Sequence, residues 1–363
     1  MSFLYDDGHM AIATESRRVL DARMNKDRLL KLLEQVGHYD EPFWQTAIEQ
    51  GWTALAIPEE HGGLGLRLIE LGLVAQATGA HTAGAPFLTV GYGAARGLLH
   101  GTDESLKEEW LPQLASGEKI ATVALADASA PLPSASSVRF ENGMLTGTKN
   151  AVVGGLRADV ALVWAQHGEE PALFLVDLSQ AARNPVNSFD NSRLYADLVF
   201  DGTPARLVAD GTARQIALET LAAMAVVSAH EQLGGAEELL MMARDYALTR
   251  RAFGQPIGAF QSIKHKIAEL YGLVELARAN CIHAAASEGR ENYLLAAADA
   301  RIAATEAYDT AARDCTQIHG GIGVTWEQGL HLHMRRARSL AIEQGNLMFW
   351  EDLLVEQMTG VAA

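Results

Sequence analysis

The fold of this chain is decided by the stretch Thr249-Arg250-Arg251-Ala252-Phe253-Gly254-Gln255-Pro256-Ile257-Gly258-Ala259-Phe260-Gln261, which joins two long segments with apolar residues at helical spacing. Gly254 and Pro256 break the helical pattern, because glycine permits positive φ and proline lacks an amide hydrogen. Arg250 and Arg251 therefore fall near a helix C-terminus, where cations are favoured and where a guanidinium can bind a diphosphate through paired hydrogen bonds. From these charges alone, a diphosphate site and a simple helix cap are about equally supported.

Two further glycine-rich motifs flank this stretch along the chain. They are Ile57-Pro58-Glu59-Glu60-His61-Gly62-Gly63-Leu64-Gly65 and Gln317-Ile318-His319-Gly320-Gly321-Ile322-Gly323. The pattern Arg-x-x-Phe-Gly-x-x-Ile-x-x-Phe-Gln in the first stretch resembles the hallmark of the acyl-CoA dehydrogenase family. The flanking motifs are similar to that family's Pro-Glu-x-x-Gly-Gly-x-Gly and Gln-x-x-Gly-Gly-x-Gly. The three occur in the family's order, and the resemblance covers nearly all of the chain.

Composition excludes several classes of protein. The chain has 363 residues, enough for two or three domains with a sizeable core, and its net charge of −16 argues against nucleic acid or an anionic membrane as a partner. An anionic ligand would have to be held by local cations. Cys281 and Cys315 are the only cysteines, so we expect no disulfide framework. The first residues show no signal peptide and no run reaches the length of a membrane span, so we expect a cytoplasmic protein.

The apolar spacing divides the chain into three parts. We predict a helical N-terminal domain over residues 1–118, a β domain over 119–209 and a C-terminal helix bundle over 210–363. Asp103 is expected to cap a helix in the first part, and a helix is predicted over residues 326–341 in the last. The predicted strands are six short segments separated by turn residues, at 120–125, 137–140, 144–147, 160–165, 172–177 and 194–200. This spacing favours a small barrel or sandwich over a parallel sheet, and no Gly-x-Gly-x-x-Gly follows a strand. Nine alanines between Ala296 and Ala312 predict closely packed helices. The predicted class is α+β, and its α, β, α order is that of the acyl-CoA dehydrogenase fold.

The family resemblance implies a flavin cofactor and a shared site. In the family, FAD takes a hydride from an acyl-CoA thioester while a glutamate removes the α-proton. The flavin ring rests on the β domain of one subunit, and the adenine-diphosphate half crosses a dimer interface to the helix bundle of the next. Residues of this chain that match the diphosphate-binding positions are Arg250, Phe253, Phe260, Gln261, Gln317, Gly320 and Gly321.

The half of the pattern that holds a subunit's own flavin ring departs from the family. Where the family has Leu-Thr-Glu-Pro-x-x-Gly-Ser-Asp, this chain has Leu125-Ala126-Asp127-Ala128-Ser129-Ala130-Pro131-Leu132-Pro133. Gly147-Thr148-Lys149 is intact, but the Trp-Ile-Thr that follows it in the family is Ala151-Val152-Val153. Valine has no hydrogen-bonding group, and a buried flavin atom without a partner costs roughly 1–3 kcal/mol.

The catalytic base is also replaced. The family's usual glutamate lies in a Tyr-Glu-Gly loop, and the matching Glu343-Gln344-Gly345 puts Gln344 in its place. An amide cannot take up the α-proton at neutral pH. Other members carry the base on the helix before the arginine motif, where this chain has Met224 or one of its neighbours, none of which is an acid; Glu219 lies more than one turn away. Glu343 could serve as the base after a one-residue shift of the loop; the alternative is a solvated acid at a helix end.

No metal site is predicted. His331 and His333 lie two residues apart, where helical side chains point in different directions, and no carboxylate or cysteine ligands accompany them at suitable spacing. Cys315 and His319 are one helical turn apart, and a buried packing role is expected for the thiol.

These observations lead to one favoured hypothesis and two alternatives. The favoured one is a non-catalytic subunit of a heteromeric, tetrameric acyl-CoA dehydrogenase, which shares FAD with a homologous subunit and has an electron-transferring flavoprotein as a further possible partner. The similarity of residues 318–327 to members that act on steroid side chains makes a bulky acyl-CoA an expected substrate. The alternatives are a homotetrameric enzyme with Glu343 as base, and a flavin-free acyl-CoA-binding or scaffold protein. Flavin content, measured with and without the partner, separates all three.

Overall fold

A computed structural model describes residues 5–83, 85–128 and 130–360. Residues 1–4, on which the signal-peptide expectation depends, lie outside the described residues, as does Ser129 in the segment that departs from the family's flavin motif. Within the described ranges, no helix is long and apolar enough to cross a membrane.

The chain forms two compact units. One consists of Met1–Leu30, Gly72–Ala83 and Ala225–Ala363, and the other of Lys31–Leu71 and Gly84–Met224. The first is helical throughout its main segments, and the second combines helices with the principal β-sheet. Three domains divided at residues 118 and 209 therefore stay a prediction from sequence.

The N-terminal third is helical, as the apolar spacing predicted. Asp103 was expected to cap a helix, and its carboxylate accepts hydrogen bonds from the backbone N–H groups of Ser105 and Leu106. The helices are α1 (Asp7–Arg23), α2 (Lys26–Leu32), α3 (Glu41–Glu49), α4 (Leu68–Ala80), α5 (Phe87–Leu99) and α6 (Glu104–Ala115).

The middle of the chain forms an eight-stranded sheet in which most neighbours are antiparallel. Its strands are β1 (Ala121–Ala124), β2 (Arg139–Glu141), β3 (Met144–Val152), β4 (Val160–His167), β5 (Glu170–Asp177), β6 (Ala182–Pro185), β7 (Ala196–Pro204) and β8 (Arg206–Ala209). The order is β6-β7-β3-β2-β4-β5-β8, with β1 parallel to β4. Strands β4 and β5 are antiparallel because a two-residue turn joins them, whereas β3 pairs antiparallel with β7, which is distant in sequence.

Strands β6 and β8 were missed from the sequence. Most of the side chains of β6 are exposed, and β8 has only four residues, so neither shows a clear apolar alternation. Each pairs with a stronger strand, β6 with β7 and β8 with β5. Pairing with these partners, rather than local preference, makes them strands.

The last third is again helical. Its helices are α7 (Ala213–Thr249), α8 (Gln261–Ala286), α9 (Tyr293–His319), α10 (Leu330–Leu340) and α11 (Leu347–Thr359). Helix α9 packs against α8, α10 and α11. A Cβ on Gly235 of α7 would lie 2.4 Å from the ring of Tyr308 on α9, so these two helices approach as closely as the alanine content of α9 predicted.

Helix α10 begins later than the sequence indicated. The predicted helix started at residue 326, but a 3-10 turn occupies Gly320–Val324 and Gly329 has φ 77°. A positive φ is incompatible with a continuing right-handed helix, so α10 starts at Leu330.

Candidate functional site

The arginine motif forms a short hairpin after α7. Strands β9 (Arg251–Ala252) and β10 (Gln255–Pro256) pair antiparallel, and the backbone N–H of Ile257 donates to the carbonyl of Arg250 at 2.8 Å. Phe253 and Gly254 form the two-residue turn with φ 50° and 83°. Such hairpin turns require positive φ at both central positions, which glycine supplies without strain and phenylalanine does not.

Arg250 is placed at the outside of this hairpin. It follows α7 directly and is exposed, and its guanidinium has no hydrogen-bond or ion-pair partner among the described residues. Its neighbour Arg251, in contrast, donates to the carbonyl of Gly254 at 3.0 Å. Arg250 is thus the arginine of the pair that can bind an external anion.

The aromatic residues of the motif differ in their surroundings. Phe253 is 95% exposed, the highest exposure among the large apolar side chains of the described residues. Its ring meets that of Phe260 edge to face, with centroids 6.1 Å apart. Gln261, the first residue of α8, is also exposed. A large apolar ring held in solvent at a strained turn is typical of a contact surface for another molecule.

The glycine motif Gln317–Gly323 is linked to the arginine motif by a pair of stacked rings. Tyr246 lies on α7, one turn before Arg250. Its ring stacks on the imidazole of His319 with ring centroids 4.2 Å apart and an interplanar angle of 23°. His319 ends α9 and is followed by Gly320. The sequence placed these motifs about seventy residues apart, and this ring stack brings them together.

The residues around His319 can accommodate a close ligand. Gln317 is exposed, and a Cβ built on Gly320 or Gly321 would meet nothing within 4 Å. Gly320 has φ 63° and ψ −139°, a conformation that glycine alone adopts readily. The amide of Gln317, the open backbone of Gly320 and Gly321 and the exposed guanidinium of Arg250 are groups that can bind a diphosphate, so these residues fit the diphosphate half of FAD.

The segment that departs from the family's flavin motif is held by internal contacts. Lys149 is fully buried, and its ammonium donates to the carboxylate of Asp127 at 3.0 Å and to the carbonyls of Leu125 and Ala126. The same carboxylate accepts from the hydroxyls of Ser136 and Ser137. Burial lowers the pKa of Lys149 to about 8, against the opposing effect of Asp127. The polar groups of this segment therefore bind one another.

The segment that replaces Trp-Ile-Thr also uses its polar groups internally. Ala151 has φ 48° and donates its backbone N–H to the carboxylate of Asp197 at 2.8 Å. The carbonyl of Val153 accepts from the hydroxyl of Thr122 at 2.6 Å. Val152 is buried. No side-chain donor remains in Ala151–Val153, so these residues do not fit the polar edge of a flavin ring.

The base position carries an amide that is already hydrogen-bonded. Gln344 is partly exposed, has φ 56°, and accepts from the hydroxyl of Ser228 at 2.8 Å. Ser228 is buried on α7, one helical turn after Met224, the other position where family members carry a base. Neither position offers a carboxylate.

Glu343 is not the solvated helix-end acid that one alternative described. It is 4% exposed, and its backbone carbonyl accepts from the guanidinium of Arg301 at 2.7 Å. Arg301, itself 1% exposed on α9, also donates to the carbonyl of Leu340 and to the side chain of Gln232. A role of Glu343 as the base stays a hypothesis.

Two of the histidines noted in the sequence, His333 and His319, have hydrogen-bond partners inside the fold. His333 is buried and exchanges a 2.9 Å hydrogen bond with the hydroxyl of Tyr308, while His319 bonds the carbonyl of Cys315 at 2.8 Å. Burial raises the pKa of the Cys315 thiol to about 12, so it stays protonated. Within residues 5–83, 85–128 and 130–360, no group of three or more potential ligands is placed to hold a metal.

A small apolar cavity lies in the second unit, between helices α3 and α5 and strand β1. Its walls include Trp44, Trp52, Phe87 and Tyr92. Its volume of about 30 Å³ has room for one or two waters and not for an acyl chain.

Several residues that shape the site were missed from the sequence. Ser228 is one of many small residues on α7, and nothing in its surroundings marks it. Arg301 had a signal, since it is an arginine inside an alanine-rich helix and must find partners if that face is buried. The internal pairing of Asp127 with Lys149 depends on two segments that the sequence separates.

Comparison with known proteins gives a consistent result. The family descriptions that match are "Acyl-CoA dehydrogenase, N-terminal domain" over residues 6–118 and "Acyl-CoA dehydrogenase, C-terminal domain" over residues 214–356. Acyl-CoA dehydrogenase IpdE2 of Mycobacterium tuberculosis is 34% identical over 304 residues, which are 84% of this chain and 82% of that protein.

Solved structures of similar shape include heteromeric proteins. The ChsE4-ChsE5 complex from Mycobacterium tuberculosis matches with a TM-score of 0.88 and 25% identity, over 100% of both chains. The Tcur3481-Tcur3483 steroid ACAD matches with a TM-score of 0.86 and 26% identity, over 98% of each chain. The predicted fold is confirmed.

Proposed function

The chain belongs to the acyl-CoA dehydrogenase family, and we propose that it is the non-catalytic subunit of a heteromeric member that dehydrogenates a bulky acyl-CoA thioester. It would assemble with a homologous subunit, and the similarity to ChsE4-ChsE5 and Tcur3481-Tcur3483 supports this arrangement. The observation that carries the proposal is the base position, where Gln344 presents an amide bound to Ser228. An amide with no basic lone pair cannot take up the α-proton.

The contribution of this subunit would be cofactor binding across the interface. When bound, FAD accepts the hydride. Arg250 would hold its diphosphate through charge-assisted hydrogen bonds, and Gln317 with the backbone of Gly320 and Gly321 would line the same group. Phe253, 95% exposed, would be covered by the partner, together with Phe260 and Gln261. Apart from the half-buried Phe260, these groups are exposed, so they suit a cofactor held mainly by another chain.

The isolated chain is expected to bind FAD far below one equivalent. Its own flavin segment offers the apolar Ala151–Val153, and the nearby polar groups of Asp127 and Lys149 bind each other. The absorbance spectrum of the purified chain, alone and co-expressed with a homologous subunit from the same genome, measures flavin per protein. One flavin per chain in the protein expressed alone would overturn the proposal, and no flavin in either preparation would favour a scaffold.

Glu343 provides a test of the homotetrameric alternative, because its burial is compatible with a catalytic carboxylate. We expect the isolated wild-type chain to exchange the α-proton of an acyl-CoA slowly, and Glu343→Gln to leave that slow rate unchanged. Deuterium incorporation followed by mass spectrometry measures both rates. Fast exchange in the wild type that is lost in Glu343→Gln would establish Glu343 as the base, with melting temperature as the control for folding.

A further inference from the structure

The loop after α10 holds Gln344 in a defined but unfavourable conformation. Its φ of 56° lies in the left-handed region, which residues other than glycine rarely adopt, and Gly345 follows with φ 99°. A Cβ on Gly345 would lie 2.8 Å from the ring of Phe349 and 3.2 Å from the indole nitrogen of Trp350. Packing against α11 thus requires glycine at 345 and fixes where the loop turns.

Arg301 holds the same loop from inside the helix bundle. Its guanidinium donates to the carbonyls of Leu340 and Glu343 at the C-terminal end of α10. The helix dipole also favours a cation at this end. Its other terminal nitrogen donates to Gln232 at 2.7 Å, and Gln232 in turn bonds Thr305. A buried network of this kind keeps the backbone before Gln344 in one position.

Ser228 determines which part of the amide is available. The serine hydroxyl donates to Oε1 of Gln344 at 2.8 Å, so the carbonyl end of the amide faces α7. Nε2 has no acceptor among the described residues, and the side chain is partly exposed. An amide nitrogen carries two N–H donors and no acceptor. The loop therefore presents hydrogen-bond donors at the position where the family presents a proton acceptor.

We infer that this donor is a recognition group: the chain binds an acyl-CoA that carries an oxygen on the carbon next to the α-carbon, and Gln344 donates to that oxygen. The inference rests on the proposed function, which places this loop at the family's base position, beside the α-carbon of the acyl group. An N–H gains nothing from a methylene group, since only an oxygen or nitrogen acceptor can pair with it. A 3-oxoacyl or 3-hydroxyacyl thioester supplies such an oxygen within reach of a side chain aimed at the α-carbon.

The amide at position 344 would favour oxygenated acyl chains over unsubstituted ones. A carboxylate at this position would repel the oxygen of a 3-oxoacyl group, whereas the amide pairs with it. The held amide would therefore turn a position that serves chemistry in other members into one that binds an oxygenated acyl chain without reacting with it.

The test uses two thioesters that differ in one oxygenated carbon, acetoacetyl-CoA and butyryl-CoA, titrated calorimetrically into the full flavin-free chain. The wild type is expected to bind acetoacetyl-CoA about three- to tenfold more tightly, the usual effect of one neutral hydrogen bond. Gln344→Leu removes the donors at similar volume and should abolish the preference. Gln344→Glu should abolish or invert it, and Ser228→Ala, which releases the amide, should reduce it.

Gln357→Leu is the matched control, because this glutamine is exposed on α11 and its side chain makes no hydrogen bond among the described residues. It should keep the wild-type preference, and melting temperatures should agree among the variants compared. Equal affinity of the wild type for the two thioesters, or a preference that survives in Gln344→Leu, would overturn the inference. Because this titration contains no flavin, its result is separate from the flavin content of the complex, which tests the proposed function.

Discussion

Arg250→Ala is expected to weaken FAD retention by the assembled complex by about one to two orders of magnitude, since each charge-assisted hydrogen bond contributes about 1.5–3 kcal/mol. The guanidinium is exposed and has no partner among the described residues, so its removal leaves the fold intact. Arg250→Lys should restore retention only in part, because an ammonium lacks the planar pair of donors. The effect is measured as the ratio of flavin to protein that remains after the complex is dialysed at successively lower protein concentrations.

Arg251→Ala is the control for this experiment. Arg251 adjoins Arg250 and carries the same charge, but its guanidinium bonds the carbonyl of Gly254 within the hairpin. We expect a small change in melting temperature and nearly unchanged flavin content. If Arg250→Ala also retained full flavin, or if both variants lost it equally, the diphosphate role of Arg250 would be wrong and helix capping would remain.

Acid is expected to destabilise the helical unit well before its carboxylates titrate. Burial lowers the pKa of His230 to about 4, and burial together with Arg336 and His81 lowers that of His333 to about 3. In the unfolded chain both imidazoles protonate near pH 6.5. The stability that these two neutral imidazoles contribute is therefore fully present above pH 6.5. It is lost as the pH falls towards their pKa values in the folded chain, about 4 and about 3. By pH 5 each histidine should cost about 2 kcal/mol of unfolding free energy.

Urea unfolding between pH 7.5 and 5 measures this loss. His230→Gln should lower stability at pH 7.5 and flatten the dependence on pH by about half, because one of the two depressed histidines is gone. His265→Gln, at an exposed position of α8, should keep the wild-type slope. A slope that stays the same in His230→Gln would contradict the assignment to buried neutral histidines.

Much of the architecture was determined by local sequence. The apolar period that breaks at Gly254 and Pro256 predicted two long helices with a turn between them, and α7 and α8 occupy those positions. Asp103 marked a helix start because a carboxylate that accepts from exposed N–H groups acts within one turn. The alanine content of α9 predicted close packing, since small side chains admit a neighbouring helix. These are effects of neighbouring residues, so the sequence alone carries them.

The state of the site was decided by tertiary structure. The charges alone did not distinguish Arg250 from Arg251, and the family resemblance selected Arg250. The hairpin shows that Arg251 is bound to Gly254 while Arg250 is exposed. It offered Glu343 as a solvated acid or a base, and the bundle buries it beside the network of Arg301. The direction of the Gln344 amide depends on Ser228, over one hundred residues away. Hydrogen bonds between distant segments form only once the helices have packed, so a pattern along one segment cannot contain them.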